Sequence, residues 1–168
     1  MQKYVLSTIM GVESLAKKEI ERQWWKIEEV VDRLVTFSGG PEMIPKMNLW
    51  SRVGNKMYML LAEEENVDNF DALFDTVNAI NWKQYFKKDF PIMVKATSLR
   101  SELWAVPTIQ GVCKKAITKS LAGGTNKTIL ENNDLEKMSI LILLIDNKLR
   151  VLLDTTGKAL HMRGYRLE

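Results

Sequence analysis

The chain has 168 residues, with 24 Lys and Arg, 21 Asp and Glu, one His and one Cys, and its formal net charge is +3. This length suits one domain or two small ones and excludes a large catalytic domain with an accessory domain. The single cysteine and histidine exclude a disulfide framework, a cysteine zinc site and a multi-histidine metal site. We find no targeting segment, and the longest apolar run, residues 140–145, is far shorter than the roughly 20 residues that span a bilayer. We therefore expect a soluble, cytoplasmic protein that does not contact membranes.

The first 62 residues predict the element order β-α-β-β-α-β, which is typical of a ferredoxin-like fold. We expect its strands at residues 3–9, 26–31, 34–37 and 56–62. An apolar stripe at helical spacing predicts the buried face of the first helix (Val12, Leu15, Ala16, Ile20 and Trp24). The second helix, residues 43–53, should bury Met47 and Trp50. The run Glu63-Glu64-Glu65 then marks an internal boundary, and we favour a solvated segment there over a cation site.

The second half predicts a further α/β arrangement. A helix should begin after Asp68 or Asn69, and strands are expected at residues 91–97, 139–145 and 149–153. A longer helix should begin near Pro107 and end at Gly123-Gly124, with one apolar face (Ile109, Val112, Cys113, Ala116, Ile117 and Leu121). The sequence therefore predicts an α/β (α+β) protein with a ferredoxin-like N-terminal subdomain at residues 1–65 and a second domain at residues 66–168.

Charge is unevenly distributed along the chain. Residues 63–90 carry a net charge of −4 and residues 91–168 a net charge of +5. Within residues 91–128 there are six basic side chains and one acidic one (Lys95, Arg100, Lys114, Lys115, Lys119 and Lys127, against Glu102). Three of these lysines are expected on the outer face of the long helix, where they would bind a phosphate backbone. On charge alone, a solvated face that keeps the protein soluble is the favoured interpretation.

No catalytic motif is visible in the sequence. There is no G-x-G-x-x-G, no G-x-x-x-x-G-K-S/T and no G-x-S-x-G. We interpret Cys113 as a core residue because it lies on the apolar face of its helix. For His161 a structural or RNA-contacting role is favoured over that of a general base. Trp104 lies in a basic loop, where core burial is favoured over stacking on a base.

Several segments resemble a known family. Residues 160–166 (L-H-M-R-G-Y-R), following residues 153–157 (L-D-T-T-G), resemble the closing motif D-x-S/T-G-x-x-L-H-x-R-G-Y-R of THUMP-containing RNA methyltransferases. Residues 7–15 (S-T-I-M-G-V-E-S-L), 48–52 (N-L-W-S-R) and 79–82 (A-I-N-W) resemble further motifs of this family, in the same order. Residues 113–117 (C-K-K-A-I) depart from the family's V-K-D-A-I, because Lys115 replaces an acid.

The resemblance implies a ferredoxin-like subdomain packed on a THUMP domain, with the family's boundary falling as early as residue 43. It implies an RNA-binding module that docks structured rRNA or tRNA for a Rossmann-type, S-adenosylmethionine-dependent guanine-N2 methyltransferase domain. We expect that domain, with its cofactor and its N/D-P-P-Y motif, outside this chain, so that the chain alone holds no cofactor and no catalytic residue. The alternative is a structural module that packs on the catalytic domain and positions it without recognising RNA.

The resemblance also extends the RNA role to individual basic residues. It carries this role to Lys95, Arg100, Lys114 and Arg163, and the remaining candidates are the other basic side chains of the second half (Lys115, Lys119, Lys127, His161 and Arg166). Arg163 and Arg166 are equally suited to anchoring the linker to the next domain. The sequence does not distinguish rRNA from tRNA, and it specifies neither the modified nucleotide nor the oligomeric state.

Overall fold

The computed structural model describes residues 1–86, 91–122 and 138–157. The chain divides into two compact units, and the division falls between Leu60 and Leu61. Unit 1 comprises residues 1–60 together with the segment that begins at Asp154, and unit 2 comprises residues 61–153. No helix in the described ranges is long and apolar enough to cross a membrane.

Unit 1 has the ferredoxin-like topology that the sequence predicts. Its elements are β1 (Gln2–Thr8), α1 (Glu13–Glu21), β2 (Lys26–Val31), β3 (Leu34–Gly39), α2 (Met43–Trp50) and β4 (Gly54–Glu64), the last of which runs on into unit 2. The strand order is β2-β3-β1-β4. Each neighbouring pair is antiparallel, as expected when two β-α-β crossovers interleave in one sheet. The predicted α/β class and ferredoxin-like order are therefore confirmed.

The core of unit 1 lies between its sheet and its two helices. Buried side chains come from the sheet and from both helices (Tyr4, Leu6, Ala16, Ile20, Val35, Phe37, Met43, Met47 and Met57). Three predicted core positions are wrong, because Leu15, Trp24 and Trp50 are 49%, 94% and 73% exposed. Helix α1 ends at Glu21, so Trp24 lies beyond it in a left-handed conformation (φ 62°), and Trp50 is the last residue of α2. Leu15 lies next to the buried Ala16–Ile20 face of α1, outside it.

Unit 2 contains a parallel β-α-β element extended by a hairpin. Its elements are α3 (Phe70–Ala79), a short 3-10 helix (Trp82–Gln84), β5 (Ile92–Leu99), α4 (Val106–Ala122), β6 (Met138–Ile145) and β7 (Lys148–Asp154). Strand β6 pairs in parallel with β5 and antiparallel with β7, which gives the order β7-β6-β5. Helix α4 connects the two parallel strands and packs against β5 and α3. The glycine pair expected to end this helix, Gly123-Gly124, lies outside the described residues.

Local sequence signals account for the ends of these elements. Asn69 caps α3, because its side-chain oxygen accepts a hydrogen bond from the Ala72 amide at 2.8 Å. The β6–β7 turn has positive φ at both central residues, Asp146 (52°) and Asn147 (59°). This is the two-residue turn whose twist matches that of a hairpin, and Asp and Asn tolerate it better than most residues. Trp82 is fully buried, and its indole N–H donates to the Val77 carbonyl at 2.7 Å.

Candidate nucleic-acid interface

A hydrogen-bonded loop joins β5 to α4 in unit 2. Arg100 adopts a left-handed conformation (φ 48°) at the start of the loop, and its guanidinium forms two hydrogen bonds with Asp146 in the β6–β7 turn. The Nε and Nη2 atoms donate to the two carboxylate oxygens at 2.7 and 2.8 Å. The hydrogen bond from Arg100 lowers the pKa of Asp146. The planar fork of Arg100 therefore serves to hold the loop against the turn.

Three further bonds fix the same loop. The Glu102 amide donates to the Asn147 side-chain oxygen at 2.8 Å, and the Asn147 amide donates to the Ser101 hydroxyl at 3.0 Å. The Asp146 amide donates to the Leu99 carbonyl at 3.1 Å. These bonds satisfy backbone groups that would otherwise require water, so the loop has a defined shape without regular secondary structure.

Trp104 projects from this loop into solvent. Its side chain is 81% exposed, whereas the preceding Leu103 is buried. The expectation that Trp104 is buried in the core is therefore wrong, because Leu103 occupies the inward position and α4 begins two residues later. Exposure alone does not mark a contact site, since Trp24 is 94% exposed, but Trp104 also follows a loop whose shape is fixed by hydrogen bonds. The indole face is a suitable platform for an unpaired base.

The lysines of α4 do not form a single patch. Lys114, Lys115 and Lys119 are all exposed, as predicted. The Nζ atom of Lys119, however, lies 5.4 Å from the centre of the Phe74 ring, so this lysine is engaged with α3 by a cation–π contact. At about 100° per residue, Lys115 lies near Lys119 and Lys114 lies on the other flank of the helix. The exposed lysine charge of α4 therefore covers two flanks of the helix, with Lys114 on one and Lys115 on the other.

Lys95 lies on a different surface from the α4 lysines. Along β5, alternate residues are exposed, and Lys95 shares the exposed face with Met93, Thr97 and Leu99. Helix α4 packs against β5. The other residues of β5, which alternate with the exposed ones, are partly buried. Because successive strand residues point to opposite faces, Lys95 lies across the strand from the covered side. Four predicted residues (Lys127, His161, Arg163 and Arg166) lie outside the described part of the chain.

The acidic run at the end of β4 takes part in ion pairing. In unit 2, Arg150 is 4% exposed, and its Nε donates to the Glu63 carboxylate at 2.9 Å. Lys148 lies 3.7 Å from Glu63 and 2.9 Å from Glu65. Glu64 and Glu65 are exposed, as expected for a solvated segment, whereas Glu63 is partly buried because buried Arg150 requires a carboxylate partner. Among the described residues, no three His, Cys, Asp or Glu side chains are grouped so as to hold a metal ion.

The segment that opens the closing motif is anchored on β4 in unit 1. Lys56 forms an ion pair with Asp154 and also donates to the Gly157 carbonyl at 2.8 Å. The Thr155 amide and hydroxyl both donate to the Met57 carbonyl, at 3.0 and 2.8 Å. Burial and then the charge of Asp154 raise the pKa of Tyr58 to about 12. The conformation of residues 154–157 is thus fixed by the unit-1 sheet.

Cys113 and the glycine pair Gly39-Gly40 have structural roles in this fold. Cys113 is fully buried in α4, and burial raises the pKa of its thiol to about 12, so the reactive thiolate is disfavoured. At Gly39-Gly40, a Cβ atom would collide with the side chains of Met43 and Glu42. These glycines make room for the protein's own side chains, and a carboxylate lies beside them. They do not fit the phosphate or sugar of a nucleotide-like cofactor.

Part of the chain matches a family model, and nearly the whole chain is similar to known proteins. Residues 3–58, most of unit 1, match the family model for the RlmL ferredoxin-like domain. The chain is 32% identical over 173 residues to "Putative RNA methyltransferase YpsC" of Bacillus subtilis, with 100% of the chain and 44% of that protein covered. It is 30% identical over 169 residues to the tRNA (guanine(6)-N2)-methyltransferase of Methanocaldococcus jannaschii, with 98% and 44% covered.

Over nearly its whole length the chain is similar to proteins named as RNA methyltransferases, and over residues 3–58 it matches the RlmL ferredoxin-like domain. A solved structure is similar as well. The crystal structure of "SMU.472, a putative methyltransferase complexed with SAH" superposes with a TM-score of 0.85 at 32% identity, and the match covers 99% of the chain and 45% of that protein. The family resemblance expected from the sequence motifs is thereby confirmed. The chain spans less than half the length of the relatives described here.

Sequence reasoning missed a second group of basic residues, in unit 1. Arg22, Lys46 and Arg52 line one cleft beside Trp25 and Trp50. They are up to 30 positions apart, so no local charge run marks them. The available signal was the N-L-W-S-R motif at residues 48–52, which contributes Trp50 and Arg52 to the cleft.

Proposed function

We propose that this chain is the RNA-binding region of an S-adenosylmethionine-dependent RNA guanine-N2 methyltransferase. In this proposal, residues 66–168 act as the THUMP domain and dock structured tRNA or rRNA. A separate Rossmann-type domain of the same cytoplasmic protein binds the cofactor and transfers the methyl group. Similarity to a tRNA guanine-N2 methyltransferase and to a methyltransferase solved with SAH supports this division. No step of the chemistry is assigned to the chain itself.

The observation that carries the proposal is Trp104. Its ring is exposed on a loop whose shape is fixed by the Arg100–Asp146 pair, directly before the helix that presents Lys114 and Lys115. An aromatic platform beside a basic surface is the usual combination for binding single-stranded or unpaired RNA. The lysines hold the phosphates, and the indole holds a base that is not paired.

This arrangement revises the roles of the predicted basic residues. Lys114 and Lys115 are proposed to contact phosphates directly. Arg100 is proposed to act as a positioning residue, because both ends of its fork are bonded to Asp146. The remaining predicted RNA contacts on the described chain, Lys95 and Lys119, are proposed to contribute at longer range, since Lys95 lies on another face and Lys119 is engaged with Phe74.

The test is a binding measurement with the Trp104→Ala variant. A fluorescently labelled tRNA transcript and a large-subunit rRNA hairpin are titrated with the wild-type chain, with Trp104→Ala and with Trp24→Ala as the matched control. Trp24 is the more exposed indole, at 94%, and it lies in unit 1. We expect Trp104→Ala to weaken binding about tenfold and to leave the salt dependence unchanged, because stacking releases no counterions.

The alternative function is a structural module that positions the catalytic domain. It predicts that Trp104→Ala and Trp24→Ala bind both RNAs as tightly as the wild type does, or that the chain binds neither RNA at low salt. The second result would refute direct RNA recognition by the chain, and the first would refute the proposed role of Trp104 in it.

A further inference from the structure

A small cleft in unit 1 lies between the end of α1 and α2. Its volume is about 250 Å³, and Met47 and Ser51 are among the residues that line it. Three cationic side chains, Arg22, Lys46 and Arg52, reach it from different parts of the sequence. All three are exposed. The fold of the ferredoxin-like unit therefore concentrates positive charge at a concave site.

Two indole rings line the same cleft. Trp50 is 73% exposed although it is the last residue of α2. Trp25 is half-buried, and its ring is stacked on Phe37 with the centroids 5.8 Å apart and the planes at 10°. Trp25 is therefore held rigidly by the core, whereas the ring of Trp50 is available for contact. A rigid aromatic wall beside an exposed indole is a suitable geometry for holding a flat ring.

The cleft has a net positive charge because three cationic side chains and only one carboxylate, Glu19, line it. Glu19 accepts hydrogen bonds from the Ser51 hydroxyl at 3.0 Å and from the Arg52 amide at 3.1 Å. It thereby fixes the backbone that follows α2. Within the described parts of the chain, none of the three cationic side chains forms an ion pair. Three cations against one carboxylate leave a site that attracts an anion.

We propose that this cleft binds one unpaired nucleotide of an RNA, with the base against Trp50 and the phosphate held by Arg22, Lys46 and Arg52. The cleft volume of about 250 Å³ lies just below the roughly 300 Å³ at which ligand pockets begin, so it has room for part of one nucleotide and excludes a duplex. The inference rests on the proposed RNA-binding function and adds a second contact point in the other unit. Binding would be sequence-tolerant, since every base has a face that can stack.

The first test follows the indole N–H signals of the five tryptophans by heteronuclear NMR on the full chain. The probes are a single-stranded hexauridylate and a blunt RNA hairpin. Hexauridylate should shift the signals of Trp50 and Trp25 and leave that of the buried Trp82 unchanged. Assignment uses Trp→Phe variants, one position at a time. If the Trp104 signal responds to hexauridylate and those of Trp50 and Trp25 do not, the cleft is not a nucleotide site.

The second test uses affinity. Trp50→Ala should weaken binding of a hairpin with a single-stranded 3′ tail about tenfold and leave the blunt hairpin unaffected. Trp24→Ala, which removes an exposed indole that does not line the cleft, should change neither. Equal affinities for Trp50→Ala and Trp24→Ala, with RNA binding intact, would overturn this inference alone. Failure of the wild-type chain to bind any RNA would overturn the proposed function as well.

Discussion

Neutralising the two outward-facing lysines of α4 gives the sharpest test of the proposed interface. The perturbation is the double variant Lys114→Gln/Lys115→Gln, which removes charge and leaves side-chain length nearly unchanged. Both residues are exposed, so the fold should be unaffected. If each lysine contacts one duplex phosphate, each contributes about 0.9 to the slope of log K against log salt concentration. The variant should therefore have a slope that is shallower by about 1.8.

This slope has a measurable consequence. Between about 50 and about 200 mM salt, the wild type should lose roughly tenfold more affinity than the variant does. The assay is fluorescence anisotropy with a labelled tRNA transcript at four or more salt concentrations. Net charge alone also changes the affinity, so the control is Lys17→Gln/Lys83→Gln. It removes the same charge from two exposed lysines at other sites.

The reasoning would be refuted by equal slopes for the two double variants. In that case the lysines of α4 would act only through the overall charge of the protein, and the docking surface would lie elsewhere. A reduced slope for the α4 variant alone assigns two phosphate contacts to this helix.

The other predictions concern stability, measured by urea unfolding. Asn69→Ala should lower the free energy of unfolding by about 1 kcal/mol, because it removes the cap of α3, and Asn69→Ser should restore most of it; equal stabilities for the two variants would contradict this. Asp154→Ala should cost about 3 kcal/mol, because the Asp154 side chain is 5% exposed and its loss leaves Lys56 unpaired; a cost below about 0.5 kcal/mol would mean that the pair is screened by solvent. Above about pH 10 the wild type should lose stability relative to Tyr58→Phe, by about 1 kcal/mol at pH 11. The reason is that Tyr58 ionises in the unfolded chain at a pH at which the folded state keeps it neutral. Parallel pH profiles of the two proteins would refute this prediction.

The loss of stability at high pH follows from the upward shift of the Tyr58 pKa. A folded-state pKa above the unfolded value means that the neutral phenol is favoured in the fold. The stabilisation is fully present below the unfolded pKa, near 10, and is lost as the pH rises toward about 12. Tyrosine ionisation followed by ultraviolet absorbance should accordingly show a late-titrating group that Tyr58→Phe removes.

The sequence by itself determined the order and type of the elements. The cap at Asp68 or Asn69 and the apolar face of α4 are local signals, because capping and helical periodicity act over a few residues. The β-α-β-β-α-β order then restricted unit 1 to a ferredoxin-like sheet. Motifs in the sequence also indicated a resemblance to RNA methyltransferases, which the similarity of the whole chain to such proteins confirms.

Only the tertiary structure decided which aromatic and charged side chains are available. Periodicity predicts an apolar face but does not reveal where a helix ends. Trp24 lies beyond the end of α1 and Trp50 is the last residue of α2, so both are exposed although the apolar pattern predicts that they are buried. Trp104 is exposed because Leu103 takes the inward position. Arg100 pairs with Asp146, which is 46 residues away in the sequence. Arg22, Lys46 and Arg52 likewise meet in one cleft only in the folded chain. Such contacts leave no trace in local spacing, because partners far apart in sequence meet only when the sheets and helices pack.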